Sequence, residues 1–65
     1  GENMDAIKQL KKATQLDPQS KLGYYYMGLC YIDMNQKDKA MEIYNTLKTI
    51  NADQAVKLLT KIEAM

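Results

Sequence analysis

Apolar residues recur every three or four positions near the start of the chain, which is the spacing of one face of an α-helix. The apolar positions of this segment are Ala6, Ile7, Leu10, Ala13 and Leu16. The pattern predicts an amphipathic helix over residues 4–16. Lys8, Lys11 and Lys12 fall on the other face, where they are expected to be solvated or to contact an acidic partner.

The next segment is apolar on almost every side and predicts a second helix over residues 21–34. A helix with so wide an apolar surface is expected to be contacted from more than one direction. Gly28 lies in its middle without a turn nearby, which favours a close approach of another helix. Amphipathic spacing returns over residues 38–49 and 54–64 and predicts two more helices, and no segment has the alternation of a strand.

Polar residues and one proline mark the expected ends of these helices. The expected N-terminal caps are Asn3 or Asp5 for the first helix, Ser20 for the second and Asp53 for the fourth. Pro18 is expected to end the first helix, because the residue before a proline disfavours helical geometry. Asn35 is expected to take the left-handed conformation of a tight turn between the second and third helices.

The small size of the chain limits how it can be stabilised. Its 65 residues allow one small domain with a modest core. Cys30 is the only cysteine and histidine is absent, which excludes an internal disulfide and disfavours a metal site. Packing of helices, association or a larger parent chain must therefore supply stability.

Charge and hydropathy narrow the classes of partner. The 9 basic and 8 acidic residues give a net charge of +1, without the basic excess expected of a nucleic-acid or membrane-surface binder. No apolar run is long enough to span a bilayer, and no targeting peptide is visible in this segment. The sequence therefore assigns no compartment.

The first and third predicted helices repeat one another. Ala40 lies 34 positions after Ala6, and the same offset relates three further apolar pairs. Those pairs are Leu10 with Tyr44, Ala13 with Leu47, and Leu16 with Ile50. A 34-residue period with a helix–turn–helix unit is typical of an α-helical repeat protein.

The segment from residue 21 to residue 54 resembles the tetratricopeptide repeat family. The positions that carry the resemblance are Tyr24, Met27, Gly28, Tyr31, Ala40 and Tyr44, with Asn35 in place of the usual turn glycine. Leu47 and Ala52 depart from the family pattern, which has alanine and proline there. Small residues at Gly28 and Ala40 are expected to let the two helices of one hairpin pack closely.

The resemblance implies an all-α fold of antiparallel helical hairpins stacked as a short α-solenoid. Residues 4–17 would be the second helix of a partial repeat, residues 21–52 one full repeat, and residues 53–65 a capping helix. Ile62 replaces the glycine of a full repeat and is expected to prevent another helix from packing there. The competing interpretation is an unrelated bundle of three or four helices.

The N-terminal end of the predicted array lacks a hairpin partner. Ile7 and Leu10 are therefore expected to be exposed there. Because stable arrays need about three repeats, the chain is expected to be the C-terminal part of a longer array or to form a homo-oligomer through this end.

Catalysis has little support in the sequence. Without histidine, acid–base chemistry would depend on Asp, Glu, Lys or Tyr, and the acidic residues are dispersed. Cys30 lies in an apolar run without a base to activate it and is expected to be a packing residue. No catalytic residue, cofactor or metal ligand is therefore predicted, and the chain is interpreted as non-enzymatic.

One face of the second helix is a candidate partner-binding groove. The resemblance places five residues on the concave face of the array: Leu22, Tyr25, Leu29, Ile32 and Asp33. Val56, Leu59 and Glu63 of the last helix would continue this face. Tyr25 and Leu29 stand where one subtype of the family has polar residues that grip a peptide carboxylate, so that mode of binding is disfavoured. The alternative is that this stripe packs on the first helix or on upstream repeats.

These observations favour a protein–protein interaction scaffold that binds a peptide or a helix in the groove. The alternative function is structural: capping of a longer array, or self-association. A nucleic-acid binder is the third hypothesis and is disfavoured by the near-neutral charge and the lack of a basic recognition helix.

Overall fold

Four helices and no strands make up the computed structural model, which describes residues 1–65. The helices are α1 (Glu2–Leu16), α2 (Lys21–Asp33), α3 (Lys37–Ile50) and α4 (Ala52–Glu63). Their predicted bounds are confirmed to within two residues at each end. Each helix packs on the next along the chain, and α4 also packs on α2. The four helices form a flat body of 30 × 29 × 14 Å.

Two of the predicted caps are confirmed. The Ser20 Oγ accepts a hydrogen bond from the Gly23 backbone N–H and thereby begins α2. Asn35 is the only non-glycine residue with a positive φ, at 59°. Around it the Asn35 and Gln36 N–H groups donate to carbonyls of the last turn of α2, which is the Schellman arrangement.

The other predicted caps are wrong. Neither Asn3 nor Asp5 caps α1, because the helix begins earlier, at Glu2, with Gly1 before it. Asp53 lies inside the first turn of α4 and does not cap it. The cap is Asn51, whose Oδ1 accepts from the Gln54 N–H at 2.9 Å. A single residue therefore separates α3 from α4.

Replacing Asn35 tests the left-handed turn. Asn35→Ala is expected to lower the free energy of unfolding by about 1 kcal/mol, since a Cβ without a compensating polar group is unfavourable at positive φ. Asn35→Gly should leave it within about 0.5 kcal/mol of the parent, because glycine adopts this conformation freely. Urea unfolding followed by circular dichroism measures both variants, and an equal loss in the two would indicate a side-chain contact instead.

The core lies where α2, α3 and α4 meet, with one residue from α1. Its buried apolar members are Ile7, Met27, Tyr31, Ala40, Leu47, Ala55, Leu58 and Ile62. Tyr24 and Tyr44 pack against this core while remaining partly accessible. Four of the six residues that carried the family resemblance, and also Leu47, are therefore buried, including Gly28.

The buried face of α1 differs from the predicted one. Ile7 was expected to be exposed and is 2% exposed, whereas Ala13 and Leu16 lie in solvent. Thr14 is buried in their place. Its methyl carbon lies close to Gly23, and its hydroxyl donates to the Lys11 carbonyl, so a polar residue is accommodated there without an unpaired group.

Gly28 lies against a different helix from the one expected. It was predicted to bring α2 close to α3 opposite Ala40. A Cβ added to Gly28 would instead meet Leu58 on α4, lying 2.7 Å from both of its methyl carbons. Ile62 is fully buried in the core, and its expected effect on the packing of a further helix stays a prediction.

Candidate functional site

A cleft of about 620 Å³ lies between α1 and α2. It is lined by four residues of each helix: Asn3, Ala6, Gln9 and Leu10 from α1, and Tyr26, Leu29, Cys30 and Asp33 from α2. Five of these eight residues are hydrophobic. The volume falls in the range of about 300–1,000 Å³ that is usual for ligand-binding clefts. We refer to this feature as the α1–α2 cleft.

Two contacts fix the relative direction of the cleft walls. At one end the Asn3 Nδ2 donates a hydrogen bond to the Asp33 Oδ2 at 2.8 Å. At the other end Thr14 packs on Gly23 near the start of α2. The helices are therefore antiparallel, and the cleft extends from the Asn3–Asp33 pair towards Tyr26. Ala6 carries only a methyl group, which leaves space between the walls.

The structure divides the predicted groove residues between different surroundings. Leu29 and Asp33 line the α1–α2 cleft. Tyr25 and Ile32 are half-buried and pack against the core instead. Leu22 is 50% exposed and lies outside the cleft. A binding role for all five residues stays a prediction.

The predicted continuation of the groove on α4 does not join this cleft. Val56 is 58% exposed, Glu63 is exposed and Leu59 is half-buried, and none of them is a lining residue.

Sequence reasoning missed six of the eight lining residues. Tyr26 and Cys30 belong to the wide apolar surface of α2, which indicated contact on several sides without indicating which side stays open. Tyr26 is 50% exposed, and its ring is tilted against that of Tyr25 at a centroid distance of 5.8 Å. The α1 wall lies on the side of Ala6 and Leu10, two positions that the helical pattern did mark as apolar.

Cys30 carries the one thiol in the cleft, and its surroundings raise the pKa of that thiol. Burial raises the pKa of the thiol above its ordinary value of 9.0, and the nearby Asp33 carboxylate raises it further by repelling the thiolate. Less thiolate is then present at neutral pH. That Cys30 packs and does not react stays a prediction.

The reactivity of Cys30 gives a direct test of these two causes. We expect iodoacetamide to alkylate the folded chain more slowly than the urea-unfolded chain at pH 8, because the raised pKa reduces the thiolate fraction. Asp33→Asn should accelerate the reaction of the folded chain by removing the repulsion, with burial still slowing it. A mass-spectrometric time course measures each rate. No acceleration in Asp33→Asn would contradict the electrostatic contribution.

The rest of the surface has no other apolar cleft that could bind a ligand. A second depression of about 520 Å³ lies at the α2–α3 turn, and all five residues that line it, Asn35 to Lys39, are polar or charged. No group of three or more His, Cys, Asp or Glu side chains could hold a metal ion. No helix is long and apolar enough to cross a membrane. The α1–α2 cleft is therefore the best candidate site.

Comparison with known families decides the family of the chain. Residues 2–65 match the sequence profile of a family described as Regulator of microtubule dynamics protein 1-3, abbreviated RMD1-3. The chain belongs to the RMD1-3 family. No curated protein and no solved structure gave a significant match.

The RMD1-3 match corrects the family resemblance given by the sequence pattern. The tetratricopeptide assignment is wrong, because the matched family is a different one and accounts for almost the whole chain. The physical reason lies in the residues that carried the resemblance. Met27, Tyr31 and Ala40 are core residues, and Gly28 admits Leu58. Closely packed helical hairpins require large and small residues at such spacing in any family.

Proposed function

We propose that this chain is a non-enzymatic protein-binding module whose binding surface is the α1–α2 cleft. The observation that carries the proposal is the apolar lining of an open cleft, with Tyr26 half-exposed at its wall and Asp33 at its end. Aromatic side chains with a polar tip are favoured at protein interfaces. The dispersed acidic residues and the suppressed thiol of Cys30 offer little to catalysis.

The family description suggests a process in which this module acts. It names regulators of microtubule dynamics. In our proposal the chain contributes to such regulation by holding a protein partner. The arrangement of the helices is consistent with this role, because we infer that they form stacked antiparallel hairpins in the manner of a short α-solenoid. The flat body and the sequential packing of α1 to α4 support that inference.

Self-association is the second candidate function. Several large apolar side chains of α1 and α2 are exposed, including Met4 at 48%, Leu22 at 50% and Leu16 at 89%. Such residues could be covered by a second copy of the chain. The exposed residues of α4 include Lys57, Thr60 and Lys61 as well as Val56. In this proposal association uses the α1–α2 side.

Site-specific photo-crosslinking in cells tests both candidates. A benzophenone amino acid at Gln9 of the intact protein is expected to give a discrete adduct with another protein. The same group at Thr60, exposed on α4, is the matched control and should give none. Tyr26→Glu should abolish the Gln9 adduct without altering the circular dichroism spectrum, because the Tyr26 side chain is half in solvent.

The mass of the adduct separates the outcomes. An adduct between two copies of the chain would favour self-association over the capture of a different partner. Equal adducts from Gln9 and Thr60, or adducts that persist in Tyr26→Glu, would overturn the assignment of the cleft as the binding surface.

A further inference from the structure

The walls of the α1–α2 cleft favour a helix over an extended peptide as the bound segment. Both walls are helices, and their backbone hydrogen-bonding groups are largely paired within the helices themselves. An extended peptide would therefore bring unpaired N–H and C=O groups against apolar side chains, which is unfavourable. A helix satisfies its own backbone and can present an apolar stripe instead.

The length of the cleft matches two turns of such a helix. Its lining residues on α1 begin at Asn3 and end at Leu10, and those on α2 begin at Tyr26 and end at Asp33. Each wall is therefore about 10 Å long at 1.5 Å per residue. An occupying helix would use apolar residues at i, i+3 or i+4, and i+7, which is the usual spacing of a helix bound in a groove.

The negative charge of Asp33 indicates the type of one residue on the bound helix. Asp33 is the only charged residue of the lining, since the lysines of α1 lie elsewhere. Asn3 holds one carboxylate oxygen, Oδ2, and leaves Oδ1 available at the end of the cleft. Covering this carboxylate with an apolar group would be costly, whereas a cation would form a charge-assisted hydrogen bond with it.

We infer that the partner presents an amphipathic helix with an apolar stripe about two turns long and a basic residue at the end that meets Asp33. This inference rests on the proposed protein-binding function and specifies the partner of the same cleft.

Three synthetic peptides of 15 residues test the inference. The first is a hydrocarbon-stapled helix with leucine at i, i+4 and i+7 and arginine at i+11, on the same face. The second replaces the arginine with glutamate. The third keeps the leucines and the arginine of the first but lacks the staple and contains two central prolines, which prevent helix formation. Isothermal titration calorimetry gives the affinities, and protection of Cys30 from iodoacetamide reports occupancy of the cleft.

The arginine helix is expected to protect Cys30 and to bind roughly fivefold more tightly than the glutamate helix, because the ion pair lies at the edge of the cleft. Asp33→Asn should remove this preference. Asp38→Asn, an exposed carboxylate outside the cleft, is the matched control and should retain it. The preference should also shrink as salt rises. The proline peptide should neither bind nor protect Cys30.

Each contrary result has a distinct meaning. Equal protection by the arginine and glutamate helices would overturn the requirement for a basic residue, and equal binding by the proline peptide would overturn the requirement for a helix. Either result would leave the protein-binding cleft in place. Failure of all peptides to protect Cys30 while Gln9 still crosslinks to a partner would overturn the helical occupant alone, whereas loss of both signals would overturn the proposed function as well.

Discussion

Leu58→Ala is expected to lower the free energy of unfolding by about 3 kcal/mol, within the range of roughly 2–5 kcal/mol for buried leucine. Leu58 is fully buried and is one of the largest such side chains in the core. It also fills the space that Gly28 leaves on α2, so that its loss weakens the packing of α4 on both α2 and α3. For a domain of this size the core supplies only about 3–5 kcal/mol in total, so the variant should be largely unfolded.

Val56→Ala provides the control on the same helix. Val56 is 58% exposed, and its replacement removes little buried surface. Alanine is also the better helix former, so the change should lie within about 0.5 kcal/mol of the parent. Thermal and urea unfolding by circular dichroism measure both variants. Similar losses in Leu58→Ala and Val56→Ala would contradict the assignment of Leu58 to the core.

Local signals explain why the helices themselves could be predicted from the sequence. Apolar spacing of three and four residues is a property of each segment alone, and it placed α1, α3 and α4. The second helix, α2, was placed by its continuous apolar run between polar residues. Ser20 and Asn35 act through their own side chain or backbone conformation within a few residues. The Asp53 prediction failed because Asn51, two positions earlier, is equally suited to a cap, and the sequence alone does not decide between the two.

The orientation of α1 depends on a contact between residues far apart in the sequence. Its apolar residues cover a wide arc, and either Ala13 or Thr14 could have faced α2 by pattern alone. Gly23 decides between them, because its missing side chain admits the Thr14 methyl group. The Thr14 hydroxyl can be buried there because it donates a hydrogen bond to a backbone carbonyl of its own helix. Leu16, which the pattern assigned to the buried face, is 89% exposed as a result.

The candidate site was predicted only in part for a similar reason. Leu29 and Asp33 were among the five residues that the family resemblance placed on one face of α2, and of those five only these two line the cleft. The cleft, however, has a second wall on α1, and the hydrogen bond that joins Asn3 to Asp33 spans 30 positions of the sequence. Analysis of one helix at a time identifies one wall of such a site and cannot give the register of the other.

Gly28→Ala is expected to lower the free energy of unfolding by about 1–2 kcal/mol, although alanine is the better helix former by roughly 1 kcal/mol. The new Cβ would lie 2.7 Å from both methyl carbons of Leu58 and 3.2 Å from its Cγ. Rotation of one methyl group cannot relieve contacts with three atoms of the same side chain. Because Leu58 is fully buried, it has no free space to enter, and α4 must shift. Urea unfolding of the single variant measures the loss.

A double-mutant cycle distinguishes this steric cause from a general intolerance of Gly28 to replacement. In the Leu58→Ala background the three clashing atoms are gone, so the same Gly28→Ala change should now stabilise the chain by roughly 0.5–1 kcal/mol through helix propensity. Gly28→Ala is therefore expected to destabilise the chain when Leu58 is present and to stabilise it when position 58 is alanine. Such a change of sign is expected for side chains in direct contact. Osmolyte-stabilised urea titrations keep the weaker variants measurable. Additive losses in the double variant would contradict the close approach of Gly28 to Leu58 and would assign the glycine a role in the backbone of α2 alone.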